Sequence, residues 1–330
     1  MGWLGAVQSQ EYANAKWSLG QRLPDARDAA IEQAFAAGRI LRTHVMRPTW
    51  HFVTPADIRW LLKLTAPRVK VALGYYTRRL ELDDAVLGRA NDVLAGALAG
   101  GRQLTRAELV AALRQAGLVS ASDSGQRVGH ILTNAELDAV ICSGALRGKQ
   151  HTYALLDERV PPARMLERDE ALAELAGRYF ASHGPATVKD FSWWSGLTAI
   201  DARAGVDMAG AKLAREVIDG KTYWFPSNAP AAPERGSLVH LLPAFDEYVI
   251  AYKDRSDIID PHHLAQAIAG NGIIIAFDGR IAGTWKRTFA KGSVVVTPRS
   301  FNALTEEEEQ ALVAAVRRYG EFLGLSVVPG

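Results

Sequence analysis

The sequence has little of what a disulfide scaffold, a zinc centre or a membrane protein requires. Its 330 residues include one cysteine, Cys142, which excludes an internal disulfide and any cysteine-rich zinc site. No apolar run approaches the ~20 residues of a membrane span, and no secretory signal peptide precedes the first helix. Cys142 lies in the apolar run 139–142, so we expect a small buried hydrophobe. We therefore expect a cytoplasmic protein without contact to a membrane.

Motifs of several enzyme classes are also missing. There is no Walker loop, no dinucleotide-binding glycine pattern and no HExxH zinc motif. The adjacent His262 and His263 follow Pro261 and favour a helix start over a metal pair. We expect no metal, no cofactor and, at 330 residues with 48% hydrophobic and 22% charged residues, several globular units.

Positive charge is concentrated in one stretch, although the formal net charge of the whole chain is only +2. Between Arg39 and Arg79, nine basic residues stand against one acid, Asp57, a local excess of +8. The basic residues are Arg39, Arg42, Arg47, Arg59, Lys63, Arg68, Lys70, Arg78 and Arg79. A solvated basic face is the ordinary explanation, and an anionic partner such as nucleic acid is the alternative.

Helix and hairpin patterns recur along the first two thirds of the chain. After the strand pattern around Pro48, Thr54 predicts the N-cap of a helix with Pro55 at its first position. A capping-box pattern at Thr105 starts another helix, and the apolar spacing predicts a further one over 126–141. The pattern over 144–156 then predicts a strand, a basic turn and a strand, which is a wing beside a possible recognition helix.

A third stretch repeats the arrangement before the composition changes. We predict helices over 169–182 and 208–217, another starting at Thr187, and a strand over 221–225. The Pro/Ala-rich segment 228–236 is a predicted linker. The last part is strand-like over 238–242, 248–252, 272–277, 280–285 and 293–296, with a hairpin at Asp278-Gly279 and a final helix over 305–322.

These patterns predict an α+β chain of tandem winged-helix domains followed by a small C-terminal β-barrel-like domain. The predicted domains are 1–95, an N-terminal winged-helix unit with a Gln-x-Gln motif; 96–162, a second winged-helix unit; 163–230, a third; and 231–330, a β-rich domain with a terminal helix.

Two polar pairs carry possible chemistry. Gln8 and Gln10 would point at one spot if the backbone were extended, and their amides can hold and orient a water, although two ordinary surface glutamines are the more common explanation of such a pair. Asp246 and Glu247 stand beside apolar strands, as acid/base machinery or, more commonly, as structural hydrogen-bond partners.

Several segments, in the same order, resemble the AlkZ-like (YcaQ-related) DNA glycosylases, a family of winged-helix DNA-binding proteins. They are GAVQSQEY at 5–12, RTHVMRPTWHFV at 42–53, LPAFDEY at 242–248, RS at 255–256, DGR at 278–280 and GTW at 283–285. The resemblance implies three winged helices and a β-barrel around a basic DNA channel. It also implies a nucleoid-associated enzyme that removes N-alkylated purines, including bases in interstrand crosslinks.

The family's catalytic signature maps onto Gln8 and Gln10. It differs here at Ser9, where the family has an apolar residue. Family members also carry more chain before the motif, so we expect a first helix to be missing from this start. No lysine nucleophile is needed, which predicts a monofunctional glycosylase without lyase activity, acting as a monomer on double-stranded DNA that contains alkylated bases.

The DNA-binding residues that we predict lie in three places. Arg47, Thr49 and His51 alternate along an extended stretch, so they should share one face beside the glutamines, although Thr49 and His51 can instead satisfy buried backbone groups. The others are Arg42 in the basic stretch, Arg127 in the second helix of the middle unit, and Arg147 and Lys149 in the wing. Two alternatives remain: a winged-helix regulator that binds DNA without chemistry, and a family paralogue specialised for another lesion.

Overall fold

The structure is a computed structural model that describes residues 1–123, 125–229, 238–269 and 272–329. It is a mixed fold with 47% helix and 20% strand, which confirms the predicted α+β class. The chain forms two compact units, the first comprising Met1–Val7 and Ala34–Ser227 and the second Gln8–Gln33 and Asn228–Gly330. The finer division into four domains stays a prediction. Within the described part of the chain, no helix is long and apolar enough to cross a membrane.

The helices of the described residues vary from single turns to six turns. They are α1 (Tyr12–Gly20), α2 (Asp28–Ala36), α3 (Ile58–Arg79), α4 (Asp84–Leu98), α5 (Arg106–Gln115), α6 (Gly125–Leu137), α7 (Leu156–Arg159), α8 (Arg168–His183), α9 (Val188–Ser195), α10 (Ala199–Ala209), α11 (Glu247–Ile250), α12 (Leu264–Ala269) and α13 (Glu306–Leu323). Short 3-10 turns occur at Gly210–Lys212 and Pro261–His263. The second turn is capped by Asp260, which confirms the predicted helix start at Pro261.

The strands of the described ranges form four sheets. They are β1 (Val7–Gln8), β2 (Leu41–Val45), β3 (Arg47–Val53), β4 (Leu104–Thr105), β5 (Ile141–Ser143), β6 (Thr152–Leu155), β7 (Leu213–Ile218), β8 (Lys221–Pro226), β9 (Val239–Leu242), β10 (Ile274–Phe277), β11 (Arg280–Ala290), β12 (Ser293–Ser300) and β13 (Ser326–Pro329).

In the first unit, small sheets alternate with helices. One sheet has the order β1-β3-β2, and Val7 of β1 belongs to this unit. A second sheet has the order β4-β6-β5, and β7 pairs only with β8. The predicted capping boxes are present at the starts of α5 and α9. The hydroxyls of Thr105 and Thr187 accept from the backbone N–H groups of Glu108 and Asp190, and the carboxylates of those acids accept from the backbone N–H groups of the threonines. Cys142 is fully buried in β5, and burial raises the pKa of its thiol to about 12, which confirms a small buried hydrophobe.

Three helix predictions in this unit are wrong in position. Thr54 does not cap a helix, because its hydroxyl donates to Asp57. Helix α3 begins at Ile58, three residues after the predicted first position, Pro55. The helix predicted over 126–141 ends at Leu137, because Ala139 takes a positive φ of 57° and β5 follows. The second half of the segment 208–217 is strand β7, since Gly210 ends α10 and the β-branched residues before the turn at 219–220 pair with β8.

The second unit is built on a curled half-barrel sheet of order β13-β12-β11-β10-β9. Its strands are antiparallel except for the parallel pair β12–β13. The hairpin predicted at Asp278-Gly279 is confirmed, with φ of 43° and 83° at the two residues. The strand predicted over 248–252 is wrong, because Asp246 caps a short helix, α11, at this place. The predicted linker 228–236 lies largely outside the described residues.

Helices α1 and α13 pack together in this unit through aromatic side chains. The ring centroid of Trp17 lies 5.0 Å from those of Tyr319 and Phe322 in α13. The indole N–H of Trp17 donates to the carbonyl of Leu241 in β9 at 2.6 Å. A Cβ on Gly20 would lie only 2.3 Å from the ring of Phe322, so a larger residue here would force that ring to move. The segment after the glutamine motif is thereby fixed in the core of the second unit.

Candidate active site

The two motif glutamines lie on either side of a strand end. Gln8 is the last residue of β1 and is 9% exposed, whereas Gln10 is exposed in the bend before α1. The strand is only two residues long because the chain must turn into α1 at Tyr12. One glutamine is therefore held in the interior and the other is presented at the surface.

A buried carboxylate holds the backbone of Gln8. The N–H of Gln8 donates to Oε1 of Glu247 at 2.7 Å, and Glu247 is 0% exposed. A carboxylate taken out of water is unfavourable unless hydrogen bonds compensate it, so this contact defines the position of the strand end. The pair is separated by 239 residues in sequence. No periodicity in the sequence indicates the contact between Glu247 and Gln8. The sequence indicates only that Asp246 and Glu247 are candidate acid/base or structural residues.

The neighbouring carboxylate, Asp246, has a different set of partners. Its Oδ2 accepts from the hydroxyl of Ser18 at 2.7 Å and from Gln21 at 3.1 Å, and Arg22 donates to both of its oxygens at 2.9 and 2.6 Å. Its Oδ1 also caps α11 by accepting from the N–H of Tyr248 at 2.9 Å. Burial opposes the charge of Arg22, but Asp246 outweighs it, and the pKa of the guanidinium is raised. Asp246 therefore ties α1 to α11 and keeps Glu247 in place.

In the first unit, Arg47 and His51 of β3 form a second polar group. The guanidinium of Arg47 donates to the carbonyl of Trp194 and lies 3.2 Å from Nε2 of His51. Nδ1 of His51 lies 2.9 Å from the carbonyl oxygen of Thr49. A carbonyl only accepts and a guanidinium only donates, so Nδ1 carries the proton and His51 is neutral.

The end of α9 reaches Arg47 because a glycine stands there. Gly196 has φ +70°, and a Cβ on it would lie 2.1 Å from the carbonyl oxygen of Met46. Met46 itself has a positive φ of 64°, which makes the turn between β2 and β3, two residues before Pro48. This close approach brings the carbonyl of Trp194 within reach of Arg47.

The alternation predicted along β3 is only partly present. The contact between Arg47 and His51 puts these residues on one face, and Phe52 on the other face is fully buried. His51 is also 0% exposed, and the hydroxyl of Thr49 is buried without a hydrogen-bond partner among the described residues. Both faces of the strand end are thus internal.

Arg42 belongs to an internal cluster instead of an exposed basic face. It is 8% exposed, and its guanidinium carbon lies 4.2 Å from the ring centroid of Trp50. The ring of His44 lies 4.5 Å from that of Trp50, and its Nδ1 contacts the buried carboxylate of Glu136. The cation–π contact explains how a guanidinium is accommodated here.

The three basic residues predicted in the middle of the chain differ in environment. Arg127 donates to the carbonyl of Leu80 at the end of α3, which is a structural contact. Arg147 lies 2.8 Å from the carboxylate of Glu108 and donates to the carbonyl of Gln103 at 2.6 Å. Lys149 is exposed on the same turn between β5 and β6. The structure therefore places Arg147 and Lys149 together and Arg127 apart from them.

In the fold, acids from other parts of the chain neutralise part of the positive charge of the stretch 39–79. Arg59 pairs with Asp157 at 2.7 Å, Lys63 with Glu167 at 3.3 Å, and Lys70 with Asp138. All three acids come from outside the stretch. Four of its basic residues are exposed and form no ion pair within the described ranges: Arg39, Arg68, Arg78 and Arg79.

Comparison with known proteins identifies the class. The family model described as "DNA glycosylase AlkZ-like" matches residues 1–322. The chain therefore belongs to the AlkZ-like family of DNA glycosylases, as the resemblance of its motifs predicted.

The relatives agree with this class. The chain is 26% identical over 316 residues to the interstrand DNA cross-link repair glycosylase of Streptomyces sahachiroi, an alignment that spans 90% of this chain and 83% of that protein. The solved structure of Streptomyces sahachiroi DNA glycosylase AlkZ matches it with a TM-score of 0.80 at 23% identity, covering 100% of this chain and 92% of that one. The second comparison shows a common fold.

Proposed function

We propose that this glycosylase hydrolyses the N-glycosidic bond of N-alkylated purines in double-stranded DNA, with Gln8 and Gln10 positioning the attacking water. The observation that carries the proposal is the geometry at the end of β1, where the backbone of a buried motif glutamine is held by the fully buried Glu247. The similarity to a crosslink repair glycosylase supports interstrand crosslinks as further substrates.

Amides suit this reaction because the substrate is already activated. An N7-alkylated guanine carries positive charge, so it departs readily and leaves an oxocarbenium-like sugar. The enzyme must place a water and stabilise that cation, which are tasks of position and electrostatics. Neutral glutamine oxygens do both, and they would act poorly on an undamaged, uncharged base. That selectivity protects normal DNA.

In this proposal the first unit binds DNA through winged helices. The β5–β6 hairpin follows α5 and α6, and the β7–β8 hairpin follows α8, α9 and α10, which supports the tandem arrangement. Arg147 and Lys149 on the wing contact phosphates, as does Arg47, with Thr49 beside it. His51 orients Arg47, and the buried Arg42 and Arg127 shape the unit. The protein acts as a monomer without a cofactor.

The proposal is tested with duplexes that contain one N7-methylguanine. Base release should produce an abasic site that breaks only after alkali, because no lysine forms a Schiff base with the sugar. A crosslinked duplex should be converted to separable strands in the same assay. Strand breaks without alkali would contradict the monofunctional mechanism, and tight binding to one operator sequence without base release would support a regulator.

We expect Glu247→Ala to slow base release by about 100-fold, because a misplacement of about 1 Å near the chemistry has this effect. Affinity for DNA should stay unchanged, since Glu247 is buried. The Glu247→Gln variant should retain most of the wild-type rate, because the amide oxygen of the new side chain still accepts from the N–H of Gln8. The measurement is the single-turnover rate at saturating enzyme.

A double variant separates positioning from general damage to the fold. If Glu247 acts through Gln8, Glu247→Ala should slow a Gln8→Ala enzyme little further. An equal additional loss in that background would show that Glu247 acts independently of Gln8.

We expect Arg47→Ala to weaken binding to undamaged duplex and to lower the slope of log affinity against log salt by about 1, because one phosphate contact is lost. His51→Ala should instead reduce the free energy of unfolding by about 1–3 kcal/mol, since it leaves buried groups unpaired. Salt titrations and urea unfolding of both variants check this. An unchanged salt slope in Arg47→Ala would assign Arg47 to the structure alone.

A further inference from the structure

A polar cluster joins the first turns of α1 to the part of α2 that belongs to the second unit. The ammonium of Lys16 lies 2.9 Å from a carboxylate oxygen of Asp28 and 2.9 Å from one of Glu32. The hydroxyl of Tyr12 lies 3.1 Å from both carboxylate oxygens of Glu32, and its ring centroid lies 5.2 Å from the ammonium of Lys16. Glu32 is therefore an acceptor that Tyr12 and Lys16 share.

Lys16 is a charged side chain held in the interior. It is 8% exposed, whereas Asp28 and Glu32 are half-buried. Burial opposes the charge of the ammonium, but the hydrogen bonds and charges of the two carboxylates outweigh it and raise the pKa of Lys16. A buried charge that loses its partner is strongly destabilising, so the lysine and these two carboxylates stay together.

The bend that carries Gln10 lies between two held points. On one side, the backbone N–H of Gln8 donates to the buried Glu247 at 2.7 Å. On the other side, Tyr12, the first residue of α1, donates to Glu32. Only residues 9–11 lie between these points. The position of Gln10 therefore depends on where both ends of the bend are held.

The first turn of α1 depends on its side-chain contacts because its N-cap supplies none. Helix ends fray unless their first N–H groups find partners, and Glu11 at the N-cap makes no side-chain capping bond in the described structure. The hydrogen bond of Trp17 to β9 lies more than one turn beyond Tyr12. Arg287 donates to Asn14, the third residue of the helix. The first residue, Tyr12, is held by the cluster.

We infer that Glu32 is a positioning residue for base release, which holds the bend that carries Gln10. It does so by accepting from Tyr12 and by pairing with Lys16. Its carboxylate acts through the position of Gln10 and takes no proton from the attacking water. The inference rests on the proposed function, because the position of this glutamine matters only if it acts on the water.

Single-turnover base release from the duplex with one N7-methylguanine measures the effect on the reaction. Glu32→Ala should slow release by about 100-fold, because a displacement of about 1 Å near the chemistry has this effect. Tyr12→Phe removes only the hydroxyl and should slow release by about 10-fold. Glu32→Gln keeps an acceptor for Tyr12 and should be faster than Glu32→Ala. Affinity for the alkylated duplex should stay unchanged in all three variants.

The matched control is Glu309→Ala, which removes an exposed carboxylate from α13 in the same unit. Its rate should equal that of the wild type. In a Gln10→Ala background, Glu32→Ala should slow release little further, because both changes then act on the same step. An additional loss as large as in the wild-type background would overturn the inference, since Glu32 would then act independently of Gln10.

Hydrogen exchange provides a readout that does not depend on activity. In the full-length protein, exchange of the backbone amides of 9–13 should be about 10-fold faster in Tyr12→Phe and Glu32→Ala, and exchange in α13 should be unchanged. Tyr12→Phe carries the test if Glu32→Ala does not fold.

The two readouts separate the inference from the proposed function. Unchanged exchange over 9–13 in an active enzyme would overturn the inference alone, as would faster exchange with a wild-type rate of base release. If the wild type released no base at all, the proposed function itself would be wrong, whatever the exchange rates.

Discussion

Replacing Gln8 or Gln10 by alanine is expected to slow base release by about 100- to 1,000-fold, the usual effect of removing one group that acts in the transition state. Affinity for alkylated DNA should be nearly unchanged, because water-positioning groups contribute little to ground-state binding. Single-turnover rates and equilibrium binding, measured on the same duplex, give the two quantities.

The matched control is Gln33→Ala, which removes an exposed glutamine from the same unit. Its rate should equal that of the wild type. Gln8 is buried and Gln10 is exposed. Unfolding curves of both variants therefore show whether a slower reaction results from a loss of folded protein. Near wild-type rates in both variants would make the pair structural and remove the basis of the proposed mechanism.

Asp246→Ala is expected to reduce the free energy of unfolding by about 3–5 kcal/mol, because it breaks a buried ion pair from one side. Asp246 is 1% exposed, and its removal leaves Arg22, Ser18 and Gln21 without their shared acceptor. The N-cap of α11 is lost as well, which adds about 1 kcal/mol. Urea unfolding of the full chain measures the change.

The comparison variant is Glu170→Ala, which breaks the ion pair between Glu170 and Arg164. The side chain of Glu170 is 42% exposed and that of Arg164 is 77% exposed. Such a surface pair contributes about 0–1 kcal/mol, so stability should hardly change. If Asp246→Ala kept its stability but lost base release, Asp246 would be part of the chemistry and the structural role assigned to it would be wrong.

Local patterns predicted what local interactions decide. The capping boxes at Thr105 and Thr187 and the hairpin at Asp278-Gly279 depend on residues within four positions of each other, and all are present. The final helix also starts as predicted, because Thr305 and Glu308 form its capping box. The motifs that resemble the AlkZ-like family predicted the class, which the family match over residues 1–322 confirms.

Contacts between distant residues could not be predicted in this way. Glu247 meets Gln8 across 239 residues, and the sequence showed it only as one of two adjacent acids. Charge counts failed for the same reason, since Asp157, Glu167 and Asp138 neutralise basic residues far from them in sequence. Burial of Arg42 beneath Trp50 likewise depends on strand pairing between β2 and β3, which a count of charges does not contain.

The most direct test of the central claim is chromatographic detection of released base. The wild-type protein is incubated with a duplex containing one N7-methylguanine and, in parallel, with the same duplex containing guanine. We expect stoichiometric release of N7-methylguanine and no release of guanine. Binding of both duplexes without release of any base would contradict the claim that this chain hydrolyses the N-glycosidic bond of alkylated purines.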